Sequence, residues 1–398
     1  MRALISGASI AGPVTAFWLA RHGVDVTVVE QAPALRKTGG HAVDLFRPAM
    51  EISDRMGLAE RVLERATGTH VFEVHRPWRS HPARIDYRKL IGVMSDRHVE
   101  IMRDDLSQIY YEASRDYAEY RFGDRITSIA DDGTVTFEHA RPEAFDIVIG
   151  ADGLHSGVRR LTFGDDVVER FLGGYLSVVS VPKAFAREGE MVGVYEPRRI
   201  AMVYTADHLD DARAVFFFRP EHAVDYDHRD GARQRELLRA GFAGMGAAVD
   251  RWLAELDSTP AFYFDAITQL QMDTWTRGRV TLVGDAGYCP GPGVGGSTSL
   301  AVYGAYALAT ELARCDDPAV AFRAYEDVMR APVLGSRSLA QFNMKTIVPT
   351  SRWGVNALVA VGRLITVAPG RLTRMLVQRN DKGVRLYETM PLPAATAI

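Results

Sequence analysis

The chain has 398 residues, 47% hydrophobic and 24% charged, with a formal net charge of -3. That length permits two or three domains around a large core, and a charge so near zero gives no electrostatic reason to expect nucleic acid or an anionic membrane as partner. Two cysteines, Cys289 and Cys315, exclude a disulfide framework and fit a reducing cytoplasm. The 11 histidines show no metal-ligand spacing, and no apolar run reaches membrane-spanning length.

Residues 1–6 read as a short strand, followed by Gly7-Ala8-Ser9-Ile10-Ala11-Gly12, a helix over about 13–22 and a second strand over 24–29 that ends on Glu30. This is the strand-helix-strand dinucleotide fingerprint with Ser9 in place of its second glycine. Gly7 allows the tight turn and Gly12 the close helix-strand contact. Serine is the smallest substitute where backbone must approach a pyrophosphate. Glu30 is placed to accept hydrogen bonds from a ribose.

A glycine turn after Arg36 then runs into a short strand holding Asp44, and a helix is expected over 48–56 with Gly57 as its stop. Residues 73–88 look extended. Residues 103–117 read as a helix with Arg103 at its start, where a cation opposes the helix dipole and implies either an anionic partner or a surface salt bridge. A hairpin over 125–138 turns at Asp131-Asp132-Gly133. The apolar run 145–150 leads into Asp152-Gly153, another strand, acid-glycine turn and helix start.

From 173 to 268 short extended runs dominate, broken by one helical interlude over 231–256, which reads as an antiparallel sheet with one helix. Alternate residues share a face, pairing Met202 with Tyr204, Phe216 with Phe218 and Phe262 with Phe264. Such stripes line either a core or a ligand cavity.

The stretch 278–314, GRVTLVGDAGYCPGPGVGGSTSLAVYGAYALATELAR, organises the rest. A buried strand ends on Gly284-Asp285, a loop of Gly and Pro follows, and a helix begins near Ser297, Thr298 and Ser299, each able to cap it. An acid at a strand end, a Gly-rich loop and a helix N-terminus suit a polar, electron-rich cofactor, and equally an ordinary strand-loop-helix corner. Helices are expected over 318–329, onward to about 344, over 353–368 and over 369–378. Arg371, Arg374, Arg379, Lys382 and Arg385 give the last of these a basic, solvated face.

Taken together, GASIAG with Glu30, DIVIGADGLHSGVRR, GRVTLVGDAGYCPGPGVGGSTS and the helix start Arg103-x-x-Leu106 resemble the class A flavoprotein monooxygenases, built like para-hydroxybenzoate hydroxylase. In length the chain looks like the shorter members, which include tetracycline-inactivating enzymes. The resemblance implies an α/β fold: a Rossmann-like FAD-binding domain over 1–72, 101–172 and 275–345, interleaved with an antiparallel-sheet substrate domain over 73–100 and 173–274, plus C-terminal helices over 346–398. It implies FAD held by Gly7, Ser9, Gly12 and Glu30, with Arg103 on the cofactor and Asp285 near its ribityl chain and pyrophosphate. Pro292, Gly295, Gly296 and Ser297 are expected beside the flavin ring. Asp152 acts mainly on its turn, and Arg36 and Asp44 are looser assignments. Met202, Tyr204, Phe216 and Phe218 are the expected substrate-facing residues, and no side chain is required as nucleophile.

The chemistry so implied is NADPH or NADH as transient reductant, dioxygen, and hydroxylation of an aromatic or polycyclic compound, such as a polyketide-like metabolite or antibiotic, through a flavin hydroperoxide. The alternatives are a flavoprotein that sequesters such a compound and a flavin-dependent oxidase or dehydrogenase. A plain NAD-dependent dehydrogenase leaves the Gly-Asp motif unexplained. Two departures stand out: Gly287-Tyr288 replaces the family's Ala-His, and Gly295-Gly296-Ser297-Thr298-Ser299 replaces its Gly-Gln-Gly-x-Asn, which suggests a roomier flavin seat.

Overall fold

Apolar, β-branched runs from far-separated parts of the chain meet in one six-stranded sheet. Its order is Thr276–Arg277, Val280–Leu282, Ile147–Gly150, Arg2–Ser6, Asp25–Glu30 and Glu119–Phe122. Neighbours run parallel except at the Thr276–Arg277 edge. Ile5 lies opposite both Val28 and Ile149. Leu4, Ile5, Val148, Ile149 and Leu282 are fully buried, as a parallel sheet covered on both faces requires. The structure is a computed structural model describing residues 1–35, 40–95, 97–164, 166–368, 386–387 and 390–393. Arg36 and the basic 369–385 segment lie outside the described residues.

A second sheet of seven strands runs Phe262–Gln271, Val168–Pro182, Asp211–Phe218, Arg199–Tyr204, Glu190–Glu196, Val71–His75 and Ala83–Asp86. It is antiparallel except where Glu190–Glu196 meets Val71–His75. One face packs on the helices Gly231–Phe242 and Ala247–Ala254. The other packs on Val294 of the Gly-Asp loop and on the helices Pro318–Ile347 and Arg352–Val367. The molecule is therefore α/β, a Rossmann-like body and an antiparallel-sheet body joined under C-terminal helices, as the resemblance implies.

Several local expectations are corrected. The run 73–88 is not one extended segment: Val71–His75 and Ala83–Asp86 form a hairpin, and Asp86 then caps a helix, Tyr87–Met94, by accepting from Lys89 N. The helical interlude is two helices, because Gly246 at φ +115° breaks the run. The two helices expected across 318–344 are a single one, Pro318–Ile347, with Pro332 inside it. Its buried stripe, including Phe322, Tyr325, Met329, Val333, Ala340 and Met344, is long enough to outweigh the roughly 3 kcal/mol an interior proline costs.

Candidate active site

In a parallel sheet the carboxyl ends of all strands lie along one edge, which is where ligands of such folds bind. Gly7 follows Arg2–Ser6, Glu30 ends Asp25–Glu30, Asp152 follows Ile147–Gly150, and Asp285 follows Val280–Leu282. The fingerprint turn is sterically closed to larger residues: a Cβ on Gly12 would lie 1.9 Å from the Gly7 carbonyl oxygen, and one on Gly7 would lie 2.5 Å from that of Ala151. The helix Ala11–Arg21 begins without a side-chain cap, so its first N–H groups face the turn. Glu30 accepts from the backbone N–H of Ala8 at 3.0 Å and of Ala32 at 2.9 Å, tying the end of its strand to that turn.

Arg103 stands at the start of Arg103–Ser114, with its backbone N–H on the His41 carbonyl and its guanidinium 3.4 Å from Ser9 Oγ. Asp285 lies within electrostatic reach of Arg103. Burial pushes its carboxyl above the usual range, while Arg103, the Cys289 thiol and Arg159 pull it back. The opening of the Gly-Asp turn packs against the fingerprint helix, since a Cβ on Gly284 would sit 3.3 Å from Ala11 Cβ.

Asp152 faces its own turn. It accepts from Ser156 Oγ at 2.5 Å, Gly157 N at 2.8 Å and Val158 N at 3.2 Å. Arg159, buried just beyond, donates to the Ala286 carbonyl at 2.8 Å and the Leu154 carbonyl at 2.5 Å, fastening the Asp152 turn to the Asp285 turn.

Ser297–Arg314 is the helix that the loop feeds. Its cap is Gly296 in the left-handed region at φ +66°, and no side chain caps it. The serine–threonine run therefore does not cap, contrary to its composition. Ser299 instead bridges to the strand Ala42–Leu45, donating to the Asp44 carbonyl and accepting from Phe46 N, each at 2.9 Å. The free helix end and its dipole point into the loop. Three side chains hold that loop from outside: Gln269 donates to the Pro290 carbonyl, Asn343 to the Val294 carbonyl, and Tyr387 to the Gly295 carbonyl at 2.7 Å. Pro292 and Gly295 are buried within it. Leu176 and Phe217 roof it, for a Cβ on Gly293 would lie 3.2–3.3 Å from their tips.

The four expected substrate-facing residues do not share one surface. Met202 and Tyr204 turn toward the loop and the C-terminal helices, and the Tyr204 hydroxyl accepts from Ala42 N at 2.7 Å. Phe216 and Phe218 turn the opposite way and pack on Phe242, at ring distances of 4.9 and 5.7 Å. The register pairs Met202 with Val215 and Ile200 with Phe217, so Val215 and Phe217 occupy the loop-facing side. Asp44 lies at the seam between the bodies, its Oδ1 2.6 Å from His98 Nε2.

Two seam residues, Arg213 and His41, carried no sequence signal. Arg213 is buried, donates to the Gly40 carbonyl and pairs with Asp211. His41 faces Tyr263 at 6.3 Å, and burial lowers it to about 4, with Arg103 acting in the same direction. Each is one polar residue in a loop or on a strand, and each meets a group far away in sequence, Arg213 the Gly40 carbonyl and His41 the Tyr263 ring. Among the described residues no His/Cys/Asp/Glu group could hold a metal ion, and no helix is long and apolar enough to cross a membrane.

A closed fingerprint turn, an uncapped helix N-terminus, an enclosed acid and a glycine loop under an apolar roof suit a dinucleotide with a flat ring. Residues 1–317 match the FAD binding domain family, and the chain belongs to it. It is an FAD-dependent monooxygenase of class A. Over 336 residues it is 40% identical to an uncharacterised protein of Mycobacterium tuberculosis, covering 81% of this chain and 88% of that one. A flavin-dependent monooxygenase of Legionella longbeachae is 35% identical over 320 residues, 78% of this chain and 80% of its own length. The crystal structure of tetracycline destructase Tet(55) superposes with a TM-score of 0.79 at 32% identity, covering 92% of this chain and 97% of that one.

Proposed function

We propose that this monooxygenase hydroxylates an aromatic or polycyclic small molecule of the polyketide or antibiotic kind, with NADPH or NADH as reductant and dioxygen as co-substrate. The observation that carries the reading is the loop Cys289–Gly296, which ends at an uncapped helix N-terminus beneath the apolar face of Leu176 and Phe217. The likeness to a tetracycline destructase supports a fused-ring substrate.

When bound, FAD would supply the redox chemistry that links the reduced nicotinamide to dioxygen. The residues fit that group. Gly7, Ser9, Gly12 and the first N–H groups of Ala11–Arg21 would hold the pyrophosphate, and Glu30 would use its remaining lone pairs on the ribose. Arg103 and Asp285 would hold the chain between pyrophosphate and ring. Pro292, Gly295, Gly296 and Ser297 would hold the ring, where the helix dipole would favour an electron-rich state. Asp152 and Arg159 position the two acid turns, and Asp44 lies at the rim. Met202, Tyr204, Val215 and Phe217 exclude water and set the substrate against the ring. In this reading the FAD-binding part comprises 1–72, 101–172 and 275–345, and the substrate part 73–100 and 173–274. No side chain acts as a nucleophile.

The test is incubation of FAD-loaded protein with NADPH or NADH and a panel of phenolic polycycles, tetracycline included, under isotopically heavy dioxygen. A product carrying one heavy oxygen atom, with substrate-stimulated nicotinamide oxidation, supports the proposal. Bound flavin and bound ligand without nicotinamide oxidation would replace it with sequestration.

A further inference from the structure

The helix Arg352–Val367 is apolar on two opposite sides. Val355, Val359 and Gly362 are buried against the seven-stranded sheet and its neighbours. At about 100° per residue the opposite side carries Trp353, Ala357, Ala360, Leu364 and Val367, with Val361 at its edge. Trp353 is 80% exposed, Val361 56%, Leu364 63% and Val367 78%. The outward face of a helix docked on a protein is ordinarily polar. Single exposed apolar side chains need no explanation, but a row of them along about four turns, roughly 21 Å, does.

The charges around the row are of one sign. The helix has no Asp or Glu, and its exposed Arg352 and Arg363 are eleven residues apart, which sets them on one line beside the row. Arg352 lies over the Trp78 ring at 5.2 Å. Arg76, which donates to Asn356 at 3.1 Å, feels the charges of Arg79 and Arg363. Lys89, exposed like Arg88, donates to the Thr366 carbonyl at 2.8 Å. The acid at that end, Asp86, is occupied in capping its own helix. The near-zero charge of the whole chain conceals this asymmetry: residues 346–398 hold seven Arg and Lys against two Asp and Glu, in a chain of net charge -3.

We propose that this face rests on an anionic lipid bilayer. The helix lies in the plane of the headgroups, with Trp353, Leu364 and Val367 toward the acyl chains and Arg352 and Arg363 against lipid phosphates. A second copy of the chain is the poorer occupant. A two-fold pairing of this helix would set Arg352 and Arg363 of one copy near those of the other, with no acid on the helix to separate them. The association is peripheral and reversible, since one face of a 16-residue helix stays docked on the protein.

Flotation of the full-length, FAD-loaded protein with vesicles tests this, using phosphatidylcholine alone or mixed equally with phosphatidylglycerol. The wild type is expected to float with the mixed vesicles, at least about tenfold less with the neutral ones, and less as salt is raised. L364E, and V367E as a second disruption of the row, should weaken binding about tenfold or more with flavin spectrum and melting temperature unchanged. R352Q/R363Q should do the same while leaving the row intact. Absence of flotation, equal binding to neutral vesicles, or binding retained by both L364E and V367E would overturn the proposal, the last because charge alone would then hold the lipid. A dimer in light scattering that L364E dissolves would instead give the face to a second copy. Trp353 emission, taken as wild type minus W353F, that is already shielded from acrylamide in the free monomer would give it to the chain's own segment after residue 368. None of these readouts depends on turnover.

Discussion

At Gly12 a missing side chain decides the site. A Cβ there meets the Gly7 carbonyl oxygen at 1.9 Å, and that oxygen belongs to the turn proposed to lie against the pyrophosphate. G12A is expected to cost about 1–3 kcal/mol by overpacking and to yield protein largely free of flavin, read from its visible absorbance and melting temperature. His41 shows the opposite case, a residue whose chemistry depends on enclosure. Burial lowers it from 6.5 to about 4. Between those values the unfolded chain binds a proton that the folded chain refuses, so stability is intact above pH 6.5 and falls as the pH drops toward 4. H41Q lacks that proton. Its melting temperature should decline less steeply than the wild type's across this window, and parallel profiles would show that His41 is not held neutral.

At the scale of one strand, a single step in phase separates core from cavity. Phe216 faces Phe242 and Trp252, whereas Phe217 faces the loop. F216A is therefore expected to destabilise by about 3–5 kcal/mol and leave the substrate KM of the surviving protein unchanged. F217A should raise KM with a smaller loss of stability, and the reverse pattern would return Phe216 to the substrate side. This phase was not legible in the sequence. Alternation showed that Met202 and Tyr204 share a face, as do Phe216 and Phe218, but both faces of the sheet are apolar, and only the register of Arg199–Tyr204 on Asp211–Phe218 relates the two pairs. The fingerprint and the Gly-Asp strand were legible because steric need dictates residue type there. The two helices expected across 318–344 failed for a comparable reason: a long buried stripe carries one helix through Pro332. Tyr387 could not be found at all, since nothing in its own segment points to a carbonyl more than ninety residues away. Y387F removes the donor to Gly295 while keeping the ring stacked on Phe46. It should cost about 1 kcal/mol and weaken FAD several-fold, measured by titration of the apoprotein.

For the whole molecule, the apolar cluster on the loop-facing side of the seven-stranded sheet is the joint. Val178, Ile200 and Ile267 from the sheet, Val294 from the loop, and Met344, Val355 and Val359 from the C-terminal helices meet there. The helix Arg352–Val367 fits closely enough that a Cβ on Gly362 would lie 2.7 Å from Ile85. V355D sets an unpaired charge in that joint, at more than about 3 kcal/mol. It should lower the melting temperature and release flavin together, even though Val355 is not itself assigned to the cofactor. Loss of stability with flavin affinity unchanged would mean that the joint and the seat are independent.

The strand order has a consequence during synthesis. Ile147–Gly150 leaves the ribosome long before Val280–Leu282, its neighbour on the far side, and before the Gly-Asp loop. At about 5–20 residues per second, that strand waits roughly 7–26 s for the edge to close. Through that interval the apolar strand Val148-Ile149 borders an open edge, the kind of surface that holding chaperones bind. Nascent chains halted before residue 276 should emerge as apoprotein however much flavin the cell supplies. That outcome would make cofactor capture a late event, timed by translation rather than by flavin concentration.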